Sequence, residues 1–314
     1  MKTIIIFIAS LFLITSAFAQ QRPQYTQYVN NYFLINPAAA GIEKDMNLTA
    51  SYRKQWAGLS GSPATSYLTA NTSLGTTNNM RTEASNNTAL FTLSEPHHAI
   101  GFTIVNDEAG ALNRFTAYAS YAYHLQLSAK MNLSAGISGG MSNIQVHENK
   151  LALENPIDPA VYNYTGKPKA DVNAGLLLYG EQFFAGVSVQ QIIPSKINTN
   201  GNNINLYGDR KFPDLFLSGG YRFAINSDLS VQPSIMLKYV NTVPLTFDLN
   251  AKVDYKDLLW AGYSYRYQSG MAVFAGLRIK NDLKFGYSYD LTTSGLQKVS
   301  SGTHEFLLAF TIKK

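Results

Sequence analysis

Residues 115–127 read FTAYASYAYHLQL, and two kinds of side chain alternate along this stretch. Phe115, Tyr121 and Leu127 belong to an aromatic and aliphatic set, whereas Thr116 and Ser120 belong to a set that is mostly small or polar. A period of two places the two sets on opposite faces of a β-strand. Alternation over about ten positions is the signature of a strand that crosses a membrane, although it is weak for any single strand.

The same alternation recurs along the chain, with a consistent division between its two faces. Further runs begin at Asn47, Met131, Leu229, Leu245, Leu259, Met271, Leu283 and His304. Charged residues share the parity of the polar side chains: Arg53, Lys238, Asp248, Lys252, Arg266, Lys284, Asp290 and Glu305. A soluble sheet would bury its apolar face, whereas a barrel in lipid turns that face outward and satisfies every backbone group. The sequence therefore favours a transmembrane barrel, with a secreted β-sandwich or propeller as the alternative.

The connections between these runs are of two lengths. Those at 128–129, 180–181 and 280–282 span two or three residues, whereas those at 143–170 and 293–302 are long. Short and long connections largely alternate, which is typical of barrels with short periplasmic turns and longer surface loops.

This count predicts an all-β fold, a transmembrane antiparallel β-barrel of about 14 strands. The barrel should occupy residues 46–314, with both chain ends on the periplasmic side. Residues 75–97 form a long connection on the side that otherwise has short ones. The strand count there stays open, because an extra hairpin around 88–93 would fit the pattern.

Residues 1–19 have the organisation of a secretory signal peptide. Lys2 supplies a positive start, residues 4–14 are apolar, and residues 17–19 form a small-x-small cleavage site before Gln20. The apolar stretch is shorter than the roughly 20 residues that a spanning helix needs. We therefore predict a cleaved signal peptide, with an uncleaved anchor as the alternative. Gln20 in place of a cysteine argues against a lipoprotein.

Composition and motifs exclude several classes of function. The 314 residues contain no cysteine, 14% are charged, and the net charge of +5 is scattered without a basic block, which does not indicate a nucleic-acid partner. The pair His97-His98 has no carboxylate at metal-ligand spacing, and we interpret it as part of a polar loop. The adjacent Asp107 and Glu108 are typical of a solvated turn. No catalytic motif is present, so we predict no enzyme activity, no metal and no cofactor.

The segment 20–45 precedes the first predicted strand and is rich in large apolar side chains. Tyr25, Tyr28, Tyr32 and Phe33 are residues that a disordered tail avoids. We expect a plug-like segment at the barrel mouth or in the lumen, followed by a Pro-Ala-Ala-Ala-Gly turn that redirects the chain into the first strand. An additional periplasmic strand or arm is the alternative.

Two stretches near the start resemble a known family. QYTQYVNNYFLINPAAAG at 24–41 and YRKQWAGLSGSPATSYLTA at 52–70 closely resemble the PorP/SprF family of outer-membrane proteins. NDEAG at 106–110, SYAYHLQLS at 120–128, PLTFDLNAKVDYKDLLWAGYSYR at 244–266 and the closing YSYDLTTSGLQKVSSGTHEFLLAFTI at 287–312 are similar too. The resemblance therefore covers essentially the whole mature chain. Departures are Ala39-Ala40, where an aromatic residue is common, and the C-terminal Lys313-Lys314. The motif positions, structural or partner-binding, are Gln27, Tyr28, Asn36, Pro37, Ala38, Gly41, Tyr52, Arg53, Gln55, Trp56, Gly58, Gly61 and Pro63.

The resemblance implies a protein of the cell outer membrane that serves type IX protein secretion and gliding motility. Implied partners are outer-membrane lipid, periplasmic secretion-ring proteins, and the C-terminal sorting domain of a large secreted adhesin that needs the barrel for export or surface anchoring. A barrel of this size with a folded N-terminal segment also resembles FadL-type channels. The alternative function is therefore a channel for small hydrophobic molecules.

One contact between distant residues is predicted from strand parity. If residues 47–56 form the first strand and residues 303–312 the last, closure of the barrel pairs them antiparallel. Arg53 and Glu305 then point into the lumen at similar height, and we expect an ion pair, direct or through water, across the seam. Arg266 and Asp290 are candidate members of the same lumenal network. This network either fixes the plug and shapes the surface loops or is only structural.

Overall fold

A computed structural model describes residues 24–75, 89–91, 93–147, 150, 168–193, 197–199, 202–204, 213–240, 243–279, 282–292 and 300–314. The predicted signal peptide lies outside the described residues. Within the described ranges, no helix has the length and apolar character needed to cross a membrane.

Fourteen strands form one closed sheet. In chain order they are β1 Met46–Lys54, β2 Ala64–Leu74, β3 His97–Ala109, β4 Leu112–Ser128, β5 Met131–Val146, β6 Lys169–Tyr179, β7 Phe183–Gln190, β8 Asp214–Tyr221, β9 Leu229–Val240, β10 Val243–Tyr255, β11 Leu259–Arg266, β12 Gly270–Ile279, β13 Leu283–Thr292 and β14 Thr303–Ile312. Beyond Arg222, strand β8 continues as Phe223–Ala224, which also pairs with β9. Two short strands, Ile197–Thr199 and Asn202–Ile204, pair with each other outside this sheet.

Each strand pairs antiparallel with its neighbour in the chain, and β14 pairs with β1 to close the sheet. At this seam Met46 lies opposite Ile312, and Lys54 lies opposite His304. A closed sheet has no row of unpaired backbone groups at an edge. The predicted antiparallel barrel is therefore confirmed, and the β-sandwich alternative is wrong because the sheet closes on itself.

The two ends of the barrel are named here by the strand ends at the seam. The end with Met46 and Ile312 is called the terminal end, and the end with Lys54 and Thr303 is called the loop end. The long connection between β2 and β3 starts at the terminal end. Its described residues 89–91 and 93 form no strand, so they show no part of the extra hairpin considered around 88–93.

The two faces of the sheet have the predicted division of side chains. On β1, Tyr52 faces outward with 51% of its surface exposed, whereas the neighbouring Arg53 faces inward with 2% exposed. On β14, Phe306 and Leu308 are exposed and Glu305 is buried. An apolar outer face and a polar interior are the arrangement expected of a barrel in a bilayer.

This division predicts a depth-dependent cost of charge on the outer face of β14. Leu308→Arg, near the middle of the strand, should lower the free energy of unfolding by about 2–4 kcal/mol, because the charge would lie in hydrocarbon. Ile312→Arg, on the same face at the terminal end, should cost about 0–1 kcal/mol. Equilibrium unfolding from lipid vesicles measures both values. Equal costs would contradict a membrane around this face.

Candidate functional site

The described chain before β1, residues 24–45, forms three single turns of 3-10 helix, Gln27–Asn30, Tyr32–Leu34 and Pro37–Ala39. The third is capped at its N-terminus by Asn36, whose side chain accepts a hydrogen bond from the Ala38 N–H at 3.0 Å. Proline at the next position is favourable because the first turn of a helix needs no N–H there. Gly41 then adopts a φ of +63°, a left-handed conformation that suits glycine. The Asn-Pro-Ala-Ala-Ala-Gly sequence is thus a capped turn that leads the chain toward β1.

Residues 24–45, called the N-terminal segment below, contact the inner wall strand after strand. The Tyr28 hydroxyl accepts from Asn250 Nδ2 of β10 at 2.7 Å. Further along, the Tyr32 hydroxyl accepts from Gln232 of β9 at 3.4 Å. Burial raises the pKa of the Tyr28 hydroxyl well above its ordinary value.

The contacts continue around the wall in the direction opposite to the strand order. The Ile35 carbonyl accepts from Ser188 of β7 at 2.6 Å, and Asn36 Nδ2 donates to the Leu176 carbonyl of β6 at 3.1 Å. A side chain at Gly136 of β5 would place its Cβ 2.4 Å from the Ala38 nitrogen. A glycine in the wall at this position therefore lets the backbone of the segment pack directly against β5.

Two stacked histidines hold the end of the segment. The rings of His97 on β3 and His124 on β4 lie 4.3 Å apart and nearly parallel. Their Nε2 atoms donate to the carbonyls of Gly41, at 3.0 Å, and Ala40, at 2.7 Å. His98 faces outward and is exposed. The interpretation of His97-His98 as a polar loop is therefore wrong, because both are strand residues and His97 is buried.

The predicted ion pair across the seam is present. Arg53 Nη1 lies 3.1 Å from Glu305 Oε2, and Arg53 Nη2 lies 2.6 Å from Asp290 Oδ2. Arg266 Nη1 lies 3.1 Å from the same Asp290 oxygen, so the four candidate side chains form one group. All four are almost fully buried. Their functional role stays a prediction.

Thr26 lies at the centre of this group, and sequence reasoning had not singled it out. Its hydroxyl donates to Asp290 at 2.8 Å and accepts from Arg53 and Arg266, each at 3.0 Å. Its backbone N–H donates to Glu305 at 2.7 Å. The seam network, defined here as Thr26, Arg53, Arg266, Asp290 and Glu305, therefore joins the N-terminal segment to the strands that close the barrel.

The start of the segment lies at the loop end. Gln24, the first described residue, accepts a hydrogen bond from Arg266, the last residue of β11, at 3.2 Å. The predicted N-terminus of the mature chain lies outside the described residues, so the expectation that both chain ends are periplasmic stays a prediction. The segment runs from the loop end at Gln24 toward the terminal end, where β1 begins at Met46.

The remaining motif positions lie at the loop end or on the outer face. The Gln55 N–H donates to the Pro63 carbonyl at 2.9 Å, which closes the turn between β1 and β2. The Trp56 N–H donates to Thr303 Oγ1 at 3.2 Å, and the Gly61 carbonyl accepts from Gly110 at 3.0 Å. Gly58 and Gly61 are exposed with positive φ, and Tyr52 faces outward. The motif residues thus lie in three places: the N-terminal segment, the seam and the loop-end turn.

The N-terminal segment separates two cavities. One, of about 290 Å³, lies toward the loop end and is lined by Tyr25 and Tyr28 of the segment. The other, of about 420 Å³, lies toward the terminal end and is lined by Asn31 and Ile42. Phe33 lines both. Among the described residues, no three His, Cys, Asp or Glu side chains form a group that could hold a metal ion.

The seam network predicts strong coupling between Arg53 and Glu305. Arg53→Ala or Glu305→Ala alone should lower the free energy of unfolding by about 3–5 kcal/mol, because each leaves a buried charge without its partner. The double variant should cost clearly less than the sum of the single variants. Unfolding of the barrel measures the cycle. The exposed pair Lys256 and Asp228, 3.6 Å apart, is the control and should couple by less than about 1 kcal/mol.

The close approach at Gly136 predicts that a single methyl group displaces the segment. Gly136→Ala would place Cβ against the Ala38 backbone, so residues 24–45 should become sensitive to proteinase K while the strands stay protected. Gly139→Ala on the same strand is the control, because its Cβ meets no atom within 4 Å. Mass spectrometry of the fragments identifies the cut sites. Equal protection of both variants would contradict this packing.

Comparison with known proteins supports the interpretation of the sequence. The family model described as "Type IX secretion system membrane protein PorP/SprF" matches residues 17–310. No curated protein sequence matches the chain.

Several solved barrels share the fold at low sequence identity. A deletion mutant of the monoaromatic hydrocarbon channel TodX is 11% identical, with a TM-score of 0.56 and coverage of 90% of this chain and 94% of that one. The Ralstonia pickettii toluene transporter TbuX is 8% identical, with a TM-score of 0.52 and coverage of 90% and 92%. A Pseudomonas aeruginosa FadL homologue is 11% identical, with a TM-score of 0.51 and coverage of 88% and 92%. At these identities the likeness shows the fold alone.

The family match over nearly the whole chain agrees with the apolar outer face and the closed sheet of the structure. The chain belongs to the PorP/SprF family of type IX secretion system membrane proteins and is a β-barrel of the cell outer membrane.

Proposed function

We propose that this barrel is an assembly and anchoring component of the type IX secretion and gliding machinery. It supports the secretion or surface attachment of a large adhesin-type cargo by protein–protein contact, not by conducting the cargo through its lumen. The observation that carries this proposal is the position of residues 24–45, which contact the inner wall from β14 around to β2. On this proposal the segment is a plug.

The energetics of the segment favour a closed lumen. Its carbonyls and side chains are hydrogen-bonded to buried wall groups such as Ser188, His124 and Asn250. Removing the segment would leave these groups unpaired, at about 1–3 kcal/mol for each one that water did not reach. A polypeptide cargo could use the lumen only after all of these contacts had broken. Contact at the two ends of the barrel is the simpler mode of action.

The two ends suit different partners. Short turns at the terminal end, such as residues 180–182 and 256–258, are typical of a periplasmic side. We therefore assign the terminal end to the secretion-ring proteins. At the loop end, the turn between β1 and β2 is tied to the chain before β14, because Ala57 and Gly302 share a hydrogen bond of 2.8 Å. This ordered rim would receive the C-terminal sorting domain of the adhesin.

A channel for small hydrophobic molecules is the second candidate. The loop-end cavity of about 290 Å³ has apolar lining residues, among them Tyr25, Phe33, Phe216 and Met236. Solved barrels of the same fold are described as monoaromatic hydrocarbon and toluene transporters. Passage of such a molecule to the terminal end would need a local shift of the segment, which is a smaller rearrangement than passage of a polypeptide.

Isolation of the tagged barrel from outer membranes separates the two candidates. We expect secretion-ring proteins and adhesin fragments to co-purify with it, and surface adhesin to disappear when the gene is deleted. Another outer-membrane barrel with the same tag is the control. Uptake of toluene by the deletion strain is measured alongside. Two results together would favour the channel and contradict the assembly role. The deletion strain would take up less toluene but keep its surface adhesin, and the tagged barrel would co-purify with the same proteins as the control barrel.

A further inference from the structure

The terminal-end cavity, of about 420 Å³, has a wall rich in basic side chains. Its cationic lining residues are Lys44, Arg222, Lys252, Arg278 and Lys284. They come from the end of the N-terminal segment and from strands β8, β10, β12 and β13. A basic wall around a cavity indicates an anionic occupant.

Three buried donors in this lining lack an acceptor. Arg222 Nε, Trp260 Nε1 and Arg278 Nε have no hydrogen-bond partner among the described residues. All three are N–H groups, and no buried side-chain acceptor of the described lining is left in the same condition. Buried polar groups are nearly always paired in native proteins, so a set of unpaired donors around one cavity indicates a ligand that brings acceptors.

The charges along the wall are also incompletely balanced. Arg278 lies directly opposite Lys284 on adjacent strands, an arrangement of like charges that is destabilising without a counterion. Asp254 is shared between Arg222, at 2.9 Å, and Lys252, at 3.1 Å. This single carboxylate, on β10, therefore forms ion pairs with two cations at once.

The lining contains three further carboxylates, those of Glu43, Asp45 and Asp257. Glu43 accepts a hydrogen bond from Asn47 at 2.9 Å and lies within electrostatic reach of both Lys284 and Arg278, so this one carboxylate faces two cations as well. Asp45 accepts from the Lys314 backbone N–H at 3.2 Å, and Asp257 belongs to the turn between β10 and β11. The lining as a whole has five cationic and four carboxylate side chains, so it keeps an excess of one positive charge.

The length of wall over which the cations extend indicates whether the occupant is a polymer chain or a small ion. From β8 to β13 there are five strand intervals, so the cations extend over roughly 24 Å of wall at about 4.8 Å per interval. One phosphate or carboxylate cannot contact that length. Apolar groups line the same cavity, including Tyr32, Phe91 and Leu307, and the Lys252 ammonium lies 5.6 Å from the Trp260 ring centroid. These contacts suit a chain that carries several carboxylates.

We propose that the terminal-end cavity binds an acidic peptide segment of a periplasmic partner protein. This inference rests on the proposed function, because it assigns the terminal end to the periplasmic machinery and names the chemistry by which a partner is held. The carboxylates of the peptide would accept hydrogen bonds from Arg222, Arg278 and Lys284, and its backbone carbonyls would reach Trp260.

A labelled acetyl-hexaglutamate peptide is the probe, titrated into the purified full-length barrel in detergent and followed by fluorescence anisotropy. Saturable binding is expected, weakening as salt rises, because the contacts are charge pairs near water. Acetyl-hexaglutamine of the same length should not bind. Succinate should compete only at far higher concentration than unlabelled hexaglutamate. Equal competition by succinate would identify a small-anion site and overturn the assignment to a peptide.

Charge-neutralising variants locate the site. Lys284→Gln and Arg278→Gln should each weaken hexaglutamate binding by about tenfold, since each removes one charge contact with the peptide. Arg114→Gln is the matched control, because it removes an inward-facing cation from the loop-end cavity. Heat-modifiable migration on a gel checks that each variant is folded. Equal affinity of all folded variants, or no binding by the wild-type barrel, would overturn the proposal.

The same variants distinguish this inference from the proposed function. If secretion-ring proteins co-purify equally with wild type and Lys284→Gln, the acidic-peptide site is wrong while the assembly role stands. If hexaglutamate binds as expected and no secretion protein co-purifies with the wild-type barrel, the site stands and the assembly role is wrong.

Discussion

Two arginines and two carboxylates are buried where the barrel closes, and each has a partner of opposite charge. Arg53 contacts both Asp290 and Glu305, and Arg266 contacts Asp290. A buried charge without its partner is strongly destabilising, so each of these side chains constrains the position of the others. Because they belong to β1, β11, β13 and β14, the network restricts the relative heights of the strands around the seam. Thr26 bonds to the same charges, so the start of the N-terminal segment depends on the same interaction as the closure.

The width of the barrel explains why this interaction extends to the segment. About eight strands give an interior that side chains fill, whereas about 16–18 strands leave an aqueous channel. Fourteen strands lie between these cases, and the polar inner face needs partners that are not all on the wall. The N-terminal segment supplies them through short turns whose carbonyls remain free to accept hydrogen bonds. Its conformation follows from the wall, because Ser188, His124 and His97 each bind one of those carbonyls.

Strand periodicity was sufficient to predict the sheet and one long-range contact. The period of two separates Tyr52 from Arg53 without knowledge of the fold, and antiparallel closure then brings Arg53 to Glu305. The N-terminal segment has no such period. Its hydrogen bonds join residues far apart in the chain, as between Ala40 and His124, and no local pattern encodes them. For that reason the sequence predicted neither the direction in which the segment runs nor the burial of His97. Thr26 was missed because one threonine among tyrosines and glutamines carries no charge signal.

The segment is attached at both ends of the lumen, and this has a mechanical consequence. Thr26 is bound near the loop end, and Gly41 is bound by His97 and Asn71 near the terminal end. Between these points, successive residues bond to successive strands, so displacing one part leaves buried donors and acceptors unpaired on both the segment and the wall. Small local displacements are therefore resisted by the whole circuit. Phe33 lines both cavities, so an occupant of one cavity and an occupant of the other rest against the same rigid piece of chain.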